Sequence, residues 1–287
     1  MKIPKSITSE GPFAIGIPAI VWQVLFFCLP ILLIVITSFI EFSEIGEVLG
    51  FTFEKITYFF NPIYFRVIGL SFALALSNAL ICFSLAYPLA YFLAFRGRRF
   101  KSVLLFFLLI PFWTNFLLHV YAWFYVLEKH GFVNNLLLSL GIIQEPLVLL
   151  NTPIAIMIMM AYYYLPFMVL PIYSSLERFN PSLIEASYDL GASWFQTFRQ
   201  IILPLTMRGI RAGFFLVYIP SFGEFAIPGL MGGDKIMFVG TVVSEFILAE
   251  GTGSLGAAFM VISGALLLIS AIFFYFLLGR LSGRAHG

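Results

Sequence analysis

The chain has 287 residues, of which 61% are apolar and 10% charged, with a mean hydropathy of +1.01 and a formal net charge of +2. A soluble domain carries roughly 25% charged residues, so this composition excludes one and marks an integral membrane protein. The apolar runs reach about 20 residues, the length a helix needs to cross a hydrocarbon core of roughly 30 Å, and none alternates as a barrel strand would.

Six spans are predicted, at residues 17–40, 67–95, 102–127, 153–175, 209–231 and 256–279, making an all-α integral membrane protein of one transmembrane domain over 1–287. The first is too long for a signal-peptide core and no small-x-small cleavage site follows it, so it is expected to be retained. Cys28 and Cys82 both fall inside spans, far apart, and read as packing residues. Three loops are long enough to carry function: 41–66 and 128–152 on one side of the membrane, and 176–208 on the other.

Lysines and arginines orient the spans. With both termini in the cytoplasm, the inner segments hold Lys2, Lys5, Arg96, Arg98, Arg99, Lys101, Arg178, Arg199, Arg208, Arg211, Arg280 and Arg284. Lys55, Arg66, Lys129 and Lys235 are outside, so 12 of the 16 lie inside. Glu41, Glu44, Glu47 and Glu54 crowd the first outer loop, which the rule permits because acids contribute little to orientation.

The inner loop 176–208 reads almost residue by residue. Asn180 suits an N-cap and Pro181 the first helical position, so "SLIEASYDL" should open a short helix that Gly191 ends in a left-handed conformation. Glu185 and Asp189, four apart, share one face, and Leu183, Ala186 and Leu190 line another. Ser193 and Gln196 then form a capping box that opens a second helix, carrying Trp194, Phe198 and Ile202 on one side until Pro204 disturbs it. The result is an elbow of two short amphipathic helices meeting at "GAS", able to present one face to another protein.

Glu224 is the one acid placed within a span. An ionisable group there costs a few kcal/mol or more unless it faces the bundle interior or a water-filled cavity, so it is a functional candidate. Counting from Gly209 at ~1.5 Å per residue puts it ~22 Å from the inner end, in the outer half of a ~30 Å core. Pro220, Gly223, Pro228 and Gly229 surround it, which predicts a broken helix, tolerated where backbone lines a cavity or is buried. A carboxylate near aromatic faces suits an alkylammonium, through charge and cation–π attraction. Trp113, Tyr121, Trp123 and Tyr162 to Tyr164, Tyr163 foremost, are the candidate rings, although Trp and Tyr also collect at membrane interfaces. His119 reads either as a proton relay or as a hydrogen-bonded packing residue, and the three His show no metal-ligand spacing. No G-x-x-x-x-G-K-[ST], G-x-S-x-G or H-E-x-x-H occurs, so no ATP site of that kind and no hydrolase motif is expected. The basic run "FRGRRFKS" serves topology and contact with anionic lipid.

Glu185, Ala186, Ser187, Gly191, Ile201, Leu203 and Pro204 stand in the register of the signature loop of permease subunits of binding-protein-dependent ABC importers, which this chain resembles. Ser187 replaces the usual Ala. "PFWTNFLLHVYAW", "YYYLPFMVLPIYSSLE" and "GEFAIPGLMGG" are similar to the spermidine/putrescine branch of that family, with two departures: His119 where a basic residue, usually Arg, is expected, and Gly229 where many relatives carry an acid. The resemblance implies a type I ABC importer permease architecture in a bacterial inner membrane, moving polyamine inward by alternating access. It implies no cofactor in this chain, with ATP used by two separate ATP-binding cassette subunits gripping the loop that includes Asp189. It also implies a second permease, expected to be a distinct homologue, an extracytoplasmic solute-binding protein and a lipid bilayer as partners, with no nucleic acid. The same machine for an anion or a metal complex, an ion-driven secondary carrier with paired broken helices, and an intramembrane enzyme built on His119 and Glu224 are the rival readings.

Overall fold

The computed structural model describes residues 11–42, 48–97, 99–233, 236–249 and 252–283. Lys2, Lys5, Arg98, Lys235 and Arg284 of the orienting cations, the loop acids Glu44 and Glu47, and His286 lie outside the described residues. Among the described residues five helical stretches are long and apolar enough to cross a membrane: Gly16–Phe39, Pro62–Phe95, Pro153–Glu177, Trp194–Phe222 and Gly253–Arg280. A sixth crossing is available only from a pair of helices, Lys101–Trp113 and Phe116–Ser139, bent by 103°.

The described residues form two compact units, one drawn from Met1–Asn61 with Val243–Gly264, the other from Pro62–Val242 with Ala265–Gly287. In the first, α1 (Gly11–Gln23) and α2 (Leu29–Phe39) are joined by a π-helical turn, Val24–Cys28. Pro30 explains the turn: it has no N–H to donate, and the wider Leu29 N–H bond to the Val24 carbonyl carries the helix past the gap. The segment between α2 and α4 departs from an all-helical chain. It holds the only strands among the described residues, β1 (Ile40–Phe42) and β2 (Val48–Phe51), paired antiparallel with Ile40 opposite Phe51. Phe39, Phe51 and Phe53 cluster beside this hairpin with ring centroids 5.1–5.7 Å apart. After α3 (Glu54–Tyr58), Phe59 packs on Phe246 of α13 (Val239–Leu248) and on Phe259 of α14 (Gly253–Gly283).

The second unit is built on α4 (Pro62–Phe95), α8 (Pro153–Glu177) and α11 (Leu203–Phe222). Hydrocarbon gives no water to satisfy polar groups and little hydrophobic drive between helices, so close packing and interhelical hydrogen bonds must hold them. Both are present. Gly209 and Gly213, one turn apart on α11, face α8 so closely that an added Cβ would stand 2.4 Å from the Pro171 carbonyl or 2.9 Å from the Met168 sulfur. Along the opposite contact, α4 is tied antiparallel to α11 by the Asn78 amide donating to Ser221 Oγ at 2.8 Å and by the Tyr87 and Thr206 hydroxyls at 3.3 Å. Ser71 accepts the Val239 N–H at 2.8 Å, which fixes the start of α13 against the same face of α4.

Two sequence expectations need correction here. The third span is not one helix: α5 (Lys101–Trp113) ends in an extended Thr114, and α6 (Phe116–Leu127) starts afresh from Asn115, whose side chain accepts the Leu117 N–H at 2.8 Å. An N-cap inside the apolar run makes the break. Pro204, for its part, disturbs its helix without ending it. A second π-helical turn, Phe198–Ile202, lets α10 (Trp194–Thr197) run directly into α11, so the fifth span begins inside the predicted loop.

Candidate functional site

The elbow forms as its capping signals dictate. Asn180 Oδ1 accepts the Ser182 N–H at the start of α9 (Ser182–Asp189). Gly191, at φ +80°, closes that helix: its N–H donates to the Tyr188 carbonyl and that of Ala192 to the Ser187 carbonyl, a Schellman motif that only a left-handed residue allows. Ser193 and Gln196 complete the capping box in both directions.

Neither of the two faces that the spacing separates is covered. Leu183 and Leu190 are 43% and 88% exposed, and Ala186 is exposed with Glu185 and Asp189. The chain covers Ser187 instead. Ser187 Oγ reaches Thr197 Oγ1 at 2.8 Å and the Ile184 carbonyl at 2.7 Å, bolting the two helices of the elbow together. An alanine there could not do this, so the one departure from the signature has a structural use. Phe198 stacks on Trp194 at 5.4 Å and meets the Tyr87 ring edge-on at 5.6 Å, seating the elbow on α4. Ile201, Leu203 and Pro204 are half-buried along the same helix. With Tyr188, Leu190, Trp194 and Phe195 all exposed, the elbow offers an apolar surface flanked by Glu185 and Asp189.

At the other end of α11 the expected break occurs. The helix stops at Phe222, and a short α12 (Ala226–Gly232) begins after Glu224. The Glu224 carboxylate is held on both sides: Oε1 accepts the Ala226 and Ile227 N–H groups at 3.1 and 3.3 Å, and Oε2 accepts the Tyr164 hydroxyl at 2.6 Å. A carboxylate offers about four acceptor positions, so three donors leave room for about one more. Gly240 on α13 makes the break possible, because a Cβ there would lie 2.3 Å from the Gly223 carbonyl.

The aromatic candidates separate. Tyr163 packs against Tyr164 at 5.5 Å, one step from the acid, and against Phe112 and Phe116. Trp123 meets Tyr162 at 5.5 Å beside an apolar groove of about 560 Å³ that Ile81, Leu85, Ile158 and Leu165 also line. Trp113 and Tyr121 are 70% and 58% exposed, and among the described residues neither shows a hydrogen bond or ring contact to Glu224. His119 bridges Tyr162, at 2.9 Å from Nδ1, and Thr114, pinning the bend between α5 and α6 to α8. Around Gly229 nothing lies within 4 Å of an added Cβ.

Residues 86–285 match the family described as "Binding-protein-dependent transport system inner membrane component". The chain is 42% identical over 253 residues, 86% of its length and 92% of the relative's, to the spermidine/putrescine transport system permease protein PotB of Escherichia coli K12. It is 37% identical over 265 residues, 92% of each chain, to the protein of the same name from Haemophilus influenzae. Its fold matches a solved bacterial ABC transporter involved in import of the acidic polysaccharide alginate, with a TM-score of 0.74 over 99% of both chains at 17% identity.

Proposed function

Because the chain belongs to the family of binding-protein-dependent transport system inner membrane components, we propose that it is a permease subunit of an ABC importer that carries spermidine or putrescine into the cytoplasm. The observation that carries the substrate class is Glu224. It is a carboxylate set in a helix break within the membrane, with one acceptor position still open, and it suits a single N–H of a passing ammonium group. The names of the relatives support polyamine over other solutes. One such contact cannot neutralise a di- or trication, which favours a transient pathway over a tight permanent site. The exposed rings of Trp113 and Tyr121 are free to cover methylene groups, with Trp123 and Tyr163 packed behind through Tyr162 and Tyr164.

In this reading the chain hydrolyses no ATP itself. Two separate ATPase subunits do so and grip the elbow through Glu185, Ala186, Asp189 and the exposed apolar residues around Gly191. Ser187 holds the two helices of the elbow together, and Ile201, Leu203 and Pro204 join the elbow to the membrane helices. A second, distinct permease completes the pathway and an extracytoplasmic binding protein delivers the solute. The Lys and Arg bias supports placing both termini, and the elbow, in the cytoplasm. The test is ATP-dependent uptake of labelled spermidine and putrescine by cells carrying the whole transporter, comparing wild type with Glu224→Gln at equal expression. Accumulation by wild type and its impairment in the variant are expected. No polyamine uptake by wild type would remove the substrate assignment.

A further inference from the structure

We propose that the cytoplasmic halves of α11 and α14 form a binding site for one anionic phospholipid of the inner leaflet. Phe215 of α11 and Leu268, Ala271, Ile272, Tyr275 and Phe276 of α14 line a wholly apolar groove of about 380 Å³. From Leu268 to Phe276 the groove runs ~12 Å along the helix axis, most of the ~15 Å depth of one leaflet. It therefore has the length of an acyl chain lying beside the protein.

The charge sits where a headgroup would be. The two helices run antiparallel, with Phe214 packed on Phe274 at 5.4 Å and Tyr218 bonded to Ser270 at 3.0 Å. Each places an Arg one turn beyond a groove aromatic and toward the same membrane face, Arg211 after Phe215 and Arg280 after Phe276. The Arg211 guanidinium lies 5.8 Å from the Tyr275 ring centroid, and its Nη1 would be 3.7 Å from a Cβ added at Gly279, the neighbour of Arg280. Arg208 adds a third cation one turn below Arg211. Among the described residues no acid pairs with any of the three. An apolar trough that ends in unneutralised cations complements a lipid with apolar chains and a phosphate, and basic pockets between membrane helices on the cytoplasmic side take such headgroups. The choice of leaflet rests on the orientation proposed above.

The experiment is native mass spectrometry of the whole transporter carried through delipidation and titrated with phosphatidylglycerol or phosphatidylethanolamine. Wild type should retain phosphatidylglycerol, and Arg211→Gln with Arg280→Gln should weaken that retention about fivefold per arginine, with phosphatidylethanolamine unchanged. Arg280→Gln alone, at an exposed position, should show the single-step loss if the double variant fails to assemble. Equal retention in wild type and both variants, or equal loss of the zwitterionic lipid, overturns the site. So does competition by glycerol phosphate as effective as by the full lipid, since the groove would then contribute nothing. Cross-linking of Ile272→Cys to another subunit would show protein in the groove and likewise overturn it. Labelling of Arg280→Cys by an impermeant thiol reagent from outside would refute the orientation and leave the lipid count to stand or fall by itself.

Discussion

Replacing Tyr164 by Phe removes one oxygen and tests whether Glu224 works because it is held. Among the described residues the Tyr164 hydroxyl is the one donor to Oε2, at 2.6 Å, while Oε1 keeps two backbone donors at 3.1 and 3.3 Å. A hydrogen bond to a charged group contributes ~1.5–3 kcal/mol, so its loss should cost on the order of tenfold or more in correctly placed carboxylate. Uptake of labelled spermidine at low external concentration should fall by about that factor, with expression and membrane insertion unchanged, because the six-membered ring and its contacts with Tyr163 and Phe167 remain. The decisive comparison is a double-mutant cycle. In the Glu224→Gln background the same Tyr164→Phe change should cost at least ~1 kcal/mol less, since the bond it removes is no longer one to a carboxylate. If the two losses simply add to within ~0.5 kcal/mol, Tyr164 acts independently of Glu224 and the positioning argument fails.

Gly191→Pro should abolish uptake while the protein still inserts and fractionates with the membrane, because proline is fixed near φ −65° and the residue stands at +80°; normal transport would sink the elbow's assignment. Gly209→Leu should prevent assembly, since even a Cβ overlaps the Pro171 carbonyl and Ser175 and a branched side chain would force α8 and α11 apart; recovery of intact transporter on size-exclusion chromatography would refute the close contact. Gly229→Asp, into open space five residues beyond Glu224, should lower the KM for spermidine more than for putrescine, since the larger cation has more charge to meet a second carboxylate. An unchanged ratio of the two KM values would place Gly229 off the pathway.

What the sequence made legible was either local or dictated by the bilayer. Capping at Asn180, Gly191, Ser193 and Gln196 operates over three or four residues of chain, so the elbow followed from spacing alone. The apolar spans followed from the lack of water. Features decided by contact between distant elements did not follow. Tyr162, Tyr163 and Tyr164 stand ~100° apart around one helix, and only the rotation of α8 against α11 selects Tyr164 as the partner of Glu224. The covered face of α9 depended on where Thr197 sits, and the role of Gly240 depended on the return of α13 against Gly223. The bend after Trp113 had a local signal, Asn115 two residues beyond it as an N-cap, but it was masked by the unbroken hydropathy of residues 102–127.

One continuous helical stretch, Trp194–Phe222, connects the elbow to the edge of the Glu224 break. Its 29 residues span ~43 Å, more than the ~30 Å core. From Thr206 to Ser221 it is zipped to α4 through those two residues and to α8 through Gly209 and Gly213, contacts too close to slide independently. Packed interiors of this kind transmit displacement rather than absorb it. Compliance is left to the two ends: the π-helical turn Phe198–Ile202, where the α-helical bonding pattern is already broken, and the break at Gly223–Phe225. In the proposed cycle, a push on the elbow would therefore move α4, α8 and α11 together and be released at the outer break. There Glu224 is bonded at once to α8, through Tyr164, and to α12, through two amides. A shift between those elements cannot keep all three bonds, so the same motion that opens the pathway would alter the carboxylate's grip on a passing ammonium.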